Sequence, residues 1–342
     1  MSSALAPIQA VYDLTLQPIG FLSWLGASVS WLDLLGAFRL AVVLRQLREG
    51  THKEYIRTAD GDSSGRPGKD RAPPEHRGRV RDIATTLVMV YGGEAVIGPW
   101  LGFQPSFLVD GVIPMTFLAA HALVELLPSV PDATLAMEAF TAVLDAFTRA
   151  MLLCDFIPKI VTRHISPAVS ESPWTLLLTA LITANAGPFF TFSFSLLQPT
   201  PVSLTTPPEL LPYGWTSTDL WIAPLVSGLY ATLTHAQPFF AELHTLLFTF
   251  FSPLGLAHMS YPSMGKDPIV ENATVAVVDP DTARAVCVLI MATAFVTRTV
   301  KNFGPRVLWD TPSSVATAQE HVKEKHTKLV QRTHGGKKTK TQ

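Results

Sequence analysis

A single acidic residue, Glu94, lies within an otherwise apolar run at residues 83–103. The run is long enough to cross a membrane, and a carboxylate near the centre of a bilayer costs at least about 2.5 kcal/mol on insertion scales. Pro99 interrupts the same helix, and the backbone groups it frees must face protein or water. The stretch therefore favours either a hydrophilic passage across the membrane, or a kinked structural helix in which Glu94 pairs with Arg39 or Arg149.

Glycines, a proline and an amide mark two apolar stretches that could line such a passage. Gly92 and Gly93 precede the carboxylate, and Asn185, Gly187 and Pro188 lie within a later apolar run. Glycine and proline loosen and kink a helix, and an amide oxygen can accept a cation without carrying a charge. The alternatives are close packing of small residues and an ordinary hydrogen bond between helices.

Two pairs of opposite charge recur within one apolar segment. Asp145 and Arg149 are spaced i,i+4, and so are Asp155 and Lys159. This spacing predicts two ion pairs on one helix. The alternative is a helix that responds to voltage, because each charge moved across the membrane is worth about 2.3 kcal/mol per 100 mV.

The remaining polar residues do not form a recognisable catalytic or metal-binding pattern. His121 and Glu125 are spaced i,i+4, and His235 lies at the end of a later apolar segment, which is typical of polar groups at helix ends. Cys154 and Cys287 lie in apolar segments without paired spacing, which predicts buried thiols. There is no nucleotide loop, nucleophile elbow or HExxH motif, so we expect no enzyme, no cofactor and no metal.

The composition is that of a membrane protein. Of the 342 residues, 48% are hydrophobic and only 15% are charged, whereas about 25% are charged in soluble domains. The formal net charge of −1 does not favour nucleic acid as a partner. An all-α polytopic membrane protein is therefore predicted.

The apolar stretches predict seven membrane spans. They divide the chain into an N-terminal segment (1–17), the first span (18–44), a disordered basic loop (45–82), spans two and three (83–127), spans four to six (139–237), a loop with an interfacial or re-entrant helix (238–282, helix within 238–256), the seventh span (283–303) and a basic tail (304–342).

The positive charges predict the orientation of the chain. Ten of the 26 lysines and arginines lie in the loop at 45–82, and the tail from 304 is also basic. Because such regions stay in the cytosol, both are placed there with six crossings between them. The N-terminus is then lumenal, as is the loop carrying the glycosylation sequon at 272–274.

Three pairs of stretches indicate an inverted repeat. The Gly-Pro pair at 98–99 in span two matches that at 187–188 in span five, and the two prolines at 114 and 128 are spaced like those at 224 and 238. Spans one and four share a short core that matches Ala37 with Ala146. An odd number of spans per repeat inverts the second copy, so the fold is predicted as two inverted three-helix repeats plus a seventh helix.

Several short motifs resemble those of one family of membrane proteins. They are the Gly-Gly stretch followed by Leu101-Gly102 and Pro105, the polar end of span three at 121–128, and the run at 227–231 followed by 234–238. In this order, over residues 30–303, the sequence resembles the trimeric intracellular cation channels of endoplasmic reticulum and nuclear membranes. The family's glycine triplet reads Gly92, Gly93 and Glu94 in this chain. Only Arg149 matches its inositol-lipid motif in the fourth helix.

The resemblance implies a homotrimer with one pore per protomer, lined by the kinked second and fifth helices and conducting monovalent cations, chiefly potassium. We therefore expect passive counter-ion conduction past Glu94 and Asn185, with Arg149 and Lys159 as possible lipid-contacting or voltage-sensing residues. Membrane lipids are the other expected partners. The alternatives are an ion-coupled secondary transporter and a non-conducting membrane scaffold.

Overall fold

The computed structural model describes residues 2–20, 29–60, 78–131, 133–210, 218–251 and 275–303. All the regular secondary structure within these ranges is helical, which confirms the all-α class. The helices are α1 (Ser2–Leu16), α2 (Trp31–Asp60), α3 (Arg79–Leu101), α4 (Ser106–Val109), α5 (Val112–Leu126), α6 (Leu135–Ala150), α7 (Ile157–Thr162), α8 (Pro167–Ser170), α9 (Pro173–Ser193), α10 (Thr218–Thr234), α11 (Pro238–Phe251) and α12 (Pro280–Phe303). The sequon at 272–274 and the tail at 304–342 lie outside the described residues.

A helix is present at each of the seven positions where a span is predicted. Two of them, α9 and residues 280–302 of α12, are long and apolar enough to cross a membrane, with mean hydropathies of 1.4 and 1.6 over 18 residues. Helix α5 is apolar but shorter. Length and composition thus point, weakly, to membrane association, and the seven-span topology stays a prediction.

Helix α2 is longer than the sequence predicts. It has 30 residues and continues to Asp60, whereas disorder was expected from residue 45 onward. Arg45 and Glu49 form an i,i+4 ion pair at 2.8 Å on this extension, and Arg48 binds Glu125 of α5 at 2.7 Å. The expectation failed because charged residues with good helix propensity also form helices when a neighbouring helix pairs with them.

The N-terminal segment forms a helix, α1, that packs on the rest of the molecule. Tyr12 is 3% exposed, and its ring stacks on Phe147 with 6.1 Å between centroids. Gln9 Nε2 donates a hydrogen bond of 3.1 Å to Thr282 Oγ1 of α12. Burial of the aromatic side chain therefore fixes α1 against α6 and α12.

The fourth predicted span is a continuous helix with a wide turn. Helix α6 passes through a π-helical turn (Met151–Phe156) into α7. Pro158 follows this turn, and it lacks the N–H that would donate to the carbonyl of Cys154. Widening the helix before a proline is one way to relieve the clash of its ring with that carbonyl.

The helices pack as pairs around one core. Helix α3 packs on α9, α6 on α12, α2 on α5, and α10 on both α9 and α12. The centre is filled by fully buried aliphatic and aromatic side chains from α7, α10 and α12, which include Ile157, Ile222, Val226, Met291 and Phe295.

Two arginines bind carbonyl groups at the end of a neighbouring helix or in the chain that follows it. Arg45 Nη1 donates to the carbonyl oxygens of Val124 and Leu127 at 2.5 and 2.8 Å, at the end of α5. Arg81 of α3 donates to the carbonyls of Ser195 and Thr200 at 2.7 and 2.9 Å, just after α9. Positive charge is favourable at a helix C-terminus, where carbonyl groups lack partners within the helix.

A pair of histidines closes the corner between α10 and α11. His235, in the left-handed conformation with φ 51°, places Nε2 at 2.8 Å from Nδ1 of His244. Gln237 Nε2 donates to the carbonyl of Ser170 at 2.6 Å from the same corner. Burial and the neighbouring His235 lower the pKa of His244, which lies outside the predicted spans.

Acidification is expected to weaken this corner. The unfolded chain protonates His244 near its ordinary pKa of 6.5, before the folded chain does. Stability is therefore full above that pH and falls as the pH drops below it. Melting temperatures at pH 7.5 and 5.5 should show a smaller loss in His244→Gln than in the unmodified chain. Replacement of the exposed His52 by Gln is the control, and an equal loss in all three proteins contradicts the prediction.

Candidate functional site at the crossing of α3 and α9

Three glycines bring the backbones of α3 and α9 into contact. A Cβ atom on Gly92 would lie 3.0 Å from Gly187 Cα, and one on Gly93 would lie 2.6 Å from Thr183 Cα. A Cβ on Gly187 would lie 2.8 Å from the carbonyl carbon of Met89. A side chain would clash with backbone at Gly93 and Gly187 and would be tight at Gly92, so close packing is the role that the contacts give these glycines. Their predicted part in lining a pore stays a prediction.

The contacts at this crossing are reciprocal. Gly93 faces Thr183, four residues before Gly187, and Gly187 faces Met89, four residues before Gly93. Exchanging the two helices therefore interchanges these two contacts, with Gly93 and Gly187 as counterparts. Gly93 and Gly187 therefore lie equally far from the first residue of their own helix, Arg79 in α3 and Pro173 in α9.

This register differs from the one that the sequence suggested. The Gly-Pro pair at 98–99 was matched with that at 187–188, but Gly98 lies away from the crossing. A Cβ on Gly98 would lie 3.0 Å from Pro105 Cγ and 3.1 Å from the carbonyl oxygen of Phe103. The match was wrong because Gly98 provides room for the chain that turns back after α3, and not for α9.

Helices α2 and α6 show the same reciprocity. A Cβ on Gly36 would lie 3.3 Å from Thr148 Cγ2, and Arg39 Nη1 binds Asp145 Oδ1 at 3.1 Å. If Gly36 corresponds to Asp145 and Arg39 to Thr148, exchanging the two helices turns each of these contacts into the other. This register agrees with the match of Ala37 to Ala146 made from the sequence.

Glu94 is half-buried next to the crossing and holds the start of α4. Its Oε2 accepts hydrogen bonds from the backbone N–H and the hydroxyl of Ser106, both at 2.8 Å. Arg39 and Arg149, the alternative partners expected for Glu94, bind Asp145 instead. The carboxylate therefore lies within reach of the chain that follows α3, and its role in a pore stays a prediction.

Asn185 is buried on α9 near the crossing. Its Nδ2 donates a hydrogen bond of 2.8 Å to the carbonyl of Leu181, one turn earlier in the same helix. The sequence offered two roles for this amide, a pore-lining role and a hydrogen bond between helices. The bond that the structure shows lies within one helix, and the pore role stays a prediction. Helix α9 continues through Pro188 to Ser193.

Five charged residues form a network across α2, α6, α10 and α12. Asp145, 7% exposed, binds Arg39 at 3.1 Å and Arg149 at 3.2 Å. Asp219 binds Arg149 at 3.0 Å and also pairs with Arg298. The predicted pair of Asp145 with Arg149 is confirmed, whereas Asp219 and Arg298 were not expected to join it.

The ring of Phe295 lies beneath two of the arginines. The guanidinium carbons of Arg149 and Arg298 are each 5.1 Å from its centroid. Phe295 is fully buried, so these cation–π contacts lie where solvent does not weaken them. The network is held by packing as well as by charge.

A second cluster surrounds Asp155 in the π-helical turn. Lys159 approaches it at 3.5 Å, which confirms the second predicted pair, and Arg284 of α12 binds it at 2.9 Å. Tyr12 donates its hydroxyl to the same carboxylate at 3.1 Å. The side chain of Lys159 is 60% exposed, so Arg284 is the better fixed cation of this cluster.

Among the residues that the structure describes, no group of three or more His, Cys, Asp or Glu side chains is placed to hold a metal ion. Cys154 and Cys287 are both buried as free thiols.

Comparisons with protein-family models, curated proteins and solved structures gave no match to this chain.

Proposed function

We propose that the chain is a monovalent cation channel of an intracellular membrane, with a pathway through each protomer between α3 and α9. Potassium is the proposed principal ion, and the proposed role is passive counter-ion conduction. The proposal includes the endoplasmic reticulum or nuclear membrane as the location, a lumenal N-terminus, a cytoplasmic C-terminus and a homotrimer.

The reciprocal crossing of α3 and α9 carries this proposal. Two apolar helices meet backbone to backbone at Gly92, Gly93 and Gly187. Each helix also contains a proline after its glycine, Pro99 in α3 and Pro188 in α9. Contact this close leaves no room for an ion, so the arrangement represents a shut pathway. Conduction then requires the two helices to separate at this point.

Glu94 supplies the electrostatic part of the mechanism. Its carboxylate lies one residue beyond the closely packed glycines and is held by Ser106. An ion passing within about 4 Å of a carboxylate gains about 4 kcal/mol at an effective dielectric constant of about 20. A carboxylate near the opening would thus concentrate cations and repel anions, as acidic groups do in cation channels.

Reconstitution of the purified full-length chain into planar bilayers tests the function. Discrete single-channel currents carried by potassium are the expected result. Saturable uptake coupled to a second ion would support the transporter instead, and electrical silence of a correctly folded protein would support the scaffold.

Replacing Glu94 by Gln is expected to lower potassium conductance and to reduce the preference for potassium over chloride, because the neutral side chain no longer attracts cations or repels anions. Glutamine keeps the size of the side chain and can still accept from Ser106, so the change removes mainly the charge. Reversal potentials under a potassium chloride gradient measure the selectivity. Replacement of the half-buried Glu138 by Gln, at the start of α6, is the matched control. If both variants conduct like the unmodified channel, Glu94 lies outside the pathway.

A further inference from the structure

The chain turns back sharply after α3 and brings Ser106 beside Glu94. Gly102 ends α3 in the left-handed conformation, with φ 65°, and donates its backbone N–H to the carbonyl of Gly98. The backbone N–H of Phe103 donates to the same carbonyl at 3.1 Å. Because glycine adopts the left-handed conformation without a steric penalty, the sequence favours this turn in addition to its hydrogen bonds.

Two ring contacts hold the returning segment against α3. Pro105 is buried, and its ring lies against Gly98, where a Cβ atom would come within 3.0 Å of Pro105 Cγ. Phe107 packs on Tyr91 with 5.1 Å between the ring centroids. Ser106 lies between Pro105 and Phe107 in sequence, so its position relative to α3 is fixed from both sides.

Ser106 binds one oxygen of the Glu94 carboxylate and leaves the other without a partner. Oε2 accepts from both the backbone N–H and the hydroxyl of Ser106, each at 2.8 Å. Among the described residues, Oε1 takes part in no hydrogen bond or ion pair. Hydrogen bonds to a charged group are roughly twice as strong as those between neutral groups. Two of them therefore fix the direction of the carboxylate, and Oε1 remains able to face a cation.

We propose that Ser106 is a positioning residue for cation selection, which holds Glu94 so that Oε1 faces the pathway in both its shut and its open form. This inference rests on the proposed channel function. The turn, the two ring contacts and the two hydrogen bonds all lie within α3 and the chain directly after it. None of these contacts involves α9, so separation of α3 from α9 need not break them. Ser106 therefore acts on which ions pass and not on how often the pathway opens.

Single-channel recordings of Ser106→Ala in the full-length chain test this role. Alanine keeps the backbone N–H bond and loses the hydroxyl bond. The reversal potential under a potassium chloride gradient should therefore move toward zero, but by less than in Glu94→Gln, and the open probability should not change. Ser106→Thr restores a hydroxyl at an exposed position and should restore the selectivity. Ser166→Ala is the matched control, because Ser166 precedes the equally short helix α8 and its side chain makes no capping bond.

A double variant shows whether Ser106 acts through the charge of Glu94. Adding Ser106→Ala to Glu94→Gln should cause no further change in selectivity, because the charge to be positioned is already absent. A further loss, or a change in open probability alone, overturns the positioning role. If Glu94→Gln alters the selectivity and Ser106→Ala does not, the positioning role is overturned and the proposed pathway stands. If Glu94→Gln also conducts like the unmodified channel, or the chain is electrically silent, the pathway past Glu94 is overturned together with this inference.

Discussion

Replacing Gly93 by alanine is expected to force α3 and α9 apart and to lower the free energy of unfolding by about 3 kcal/mol. The added Cβ would lie 2.6 Å from Thr183 Cα and 2.7 Å from its carbonyl carbon. These are backbone atoms, so no side chain can rotate to relieve the clash and a whole helix must shift. Gly187→Ala should have a comparable effect, because its Cβ would meet the backbone of Met89 in the same way.

Thermal unfolding of the detergent-purified variants, followed by gel filtration of the heated samples, measures this loss. Gly50→Ala is the control, because a Cβ at Gly50 of α2 meets nothing within 4 Å. Alanine should be neutral there or stabilising by up to about 1 kcal/mol, since it favours the helix over the unfolded chain. Equal melting temperatures for Gly93→Ala and Gly50→Ala would show that the helices do not cross at Gly93.

Replacing Asp145 by asparagine is expected to destabilise the molecule by about 3–5 kcal/mol, the cost of leaving a buried charge without its partner. The substitution removes the carboxylate that Arg39 and Arg149 share. Arg149 would keep Asp219, but among the described residues Arg39 would keep only its hydrogen bond to the carbonyl of Thr141. The melting temperature should therefore fall sharply although the side chain keeps its size.

Two comparisons separate the loss of charge pairing from a general effect of substitution. Lys159→Ala removes the other predicted pair, but the lysine is 60% exposed, so a loss below about 1 kcal/mol is expected. Combining Asp145→Asn with Arg149→Met should cost less than the sum of the single changes, because the double variant buries fewer unpaired charges. Strict additivity would mean that Asp145 and Arg149 do not stabilise one another.

Local spacing predicted part of the charged network but not its extent. The pair of Asp145 and Arg149 could be read from i,i+4 spacing on one helix. Asp219 and Arg298 lie on α10 and α12, about 70 and 150 residues further along the chain than Arg149, and no local rule connects them. Such partners are decided by how helices pack, which composition and periodicity do not specify.

The register of the two glycine-bearing helices was also beyond the sequence. Matching Gly98-Pro99 with Gly187-Pro188 used residue types alone, whereas the crossing is set by where two backbones can touch. Gly93 fulfils that condition because its neighbour across the gap is the backbone of Thr183. A short motif identifies a glycine, but it does not show which backbone atom packs against that glycine.

Other features gave no distinctive pattern in the sequence. Helix α1 has a short apolar side that could equally belong to an unstructured N-terminus, and it is fixed by the burial of Tyr12. The burial of Tyr91 depends on the distant Phe107, whose ring centroid lies 5.1 Å from that of Tyr91. The two long apolar helices, α9 and α12, were predictable because hydrophobic runs of this length have few other uses.

The bonds from Arg81 to the chain after α9 limit how α3 and α9 can move. Arg81 lies at the beginning of α3 and is joined to the carbonyls of Ser195, Leu196 and Thr200. Because these bonds hold this end together, we expect any separation of the two helices to be smallest at Arg81 and largest at the far end, beyond Glu94.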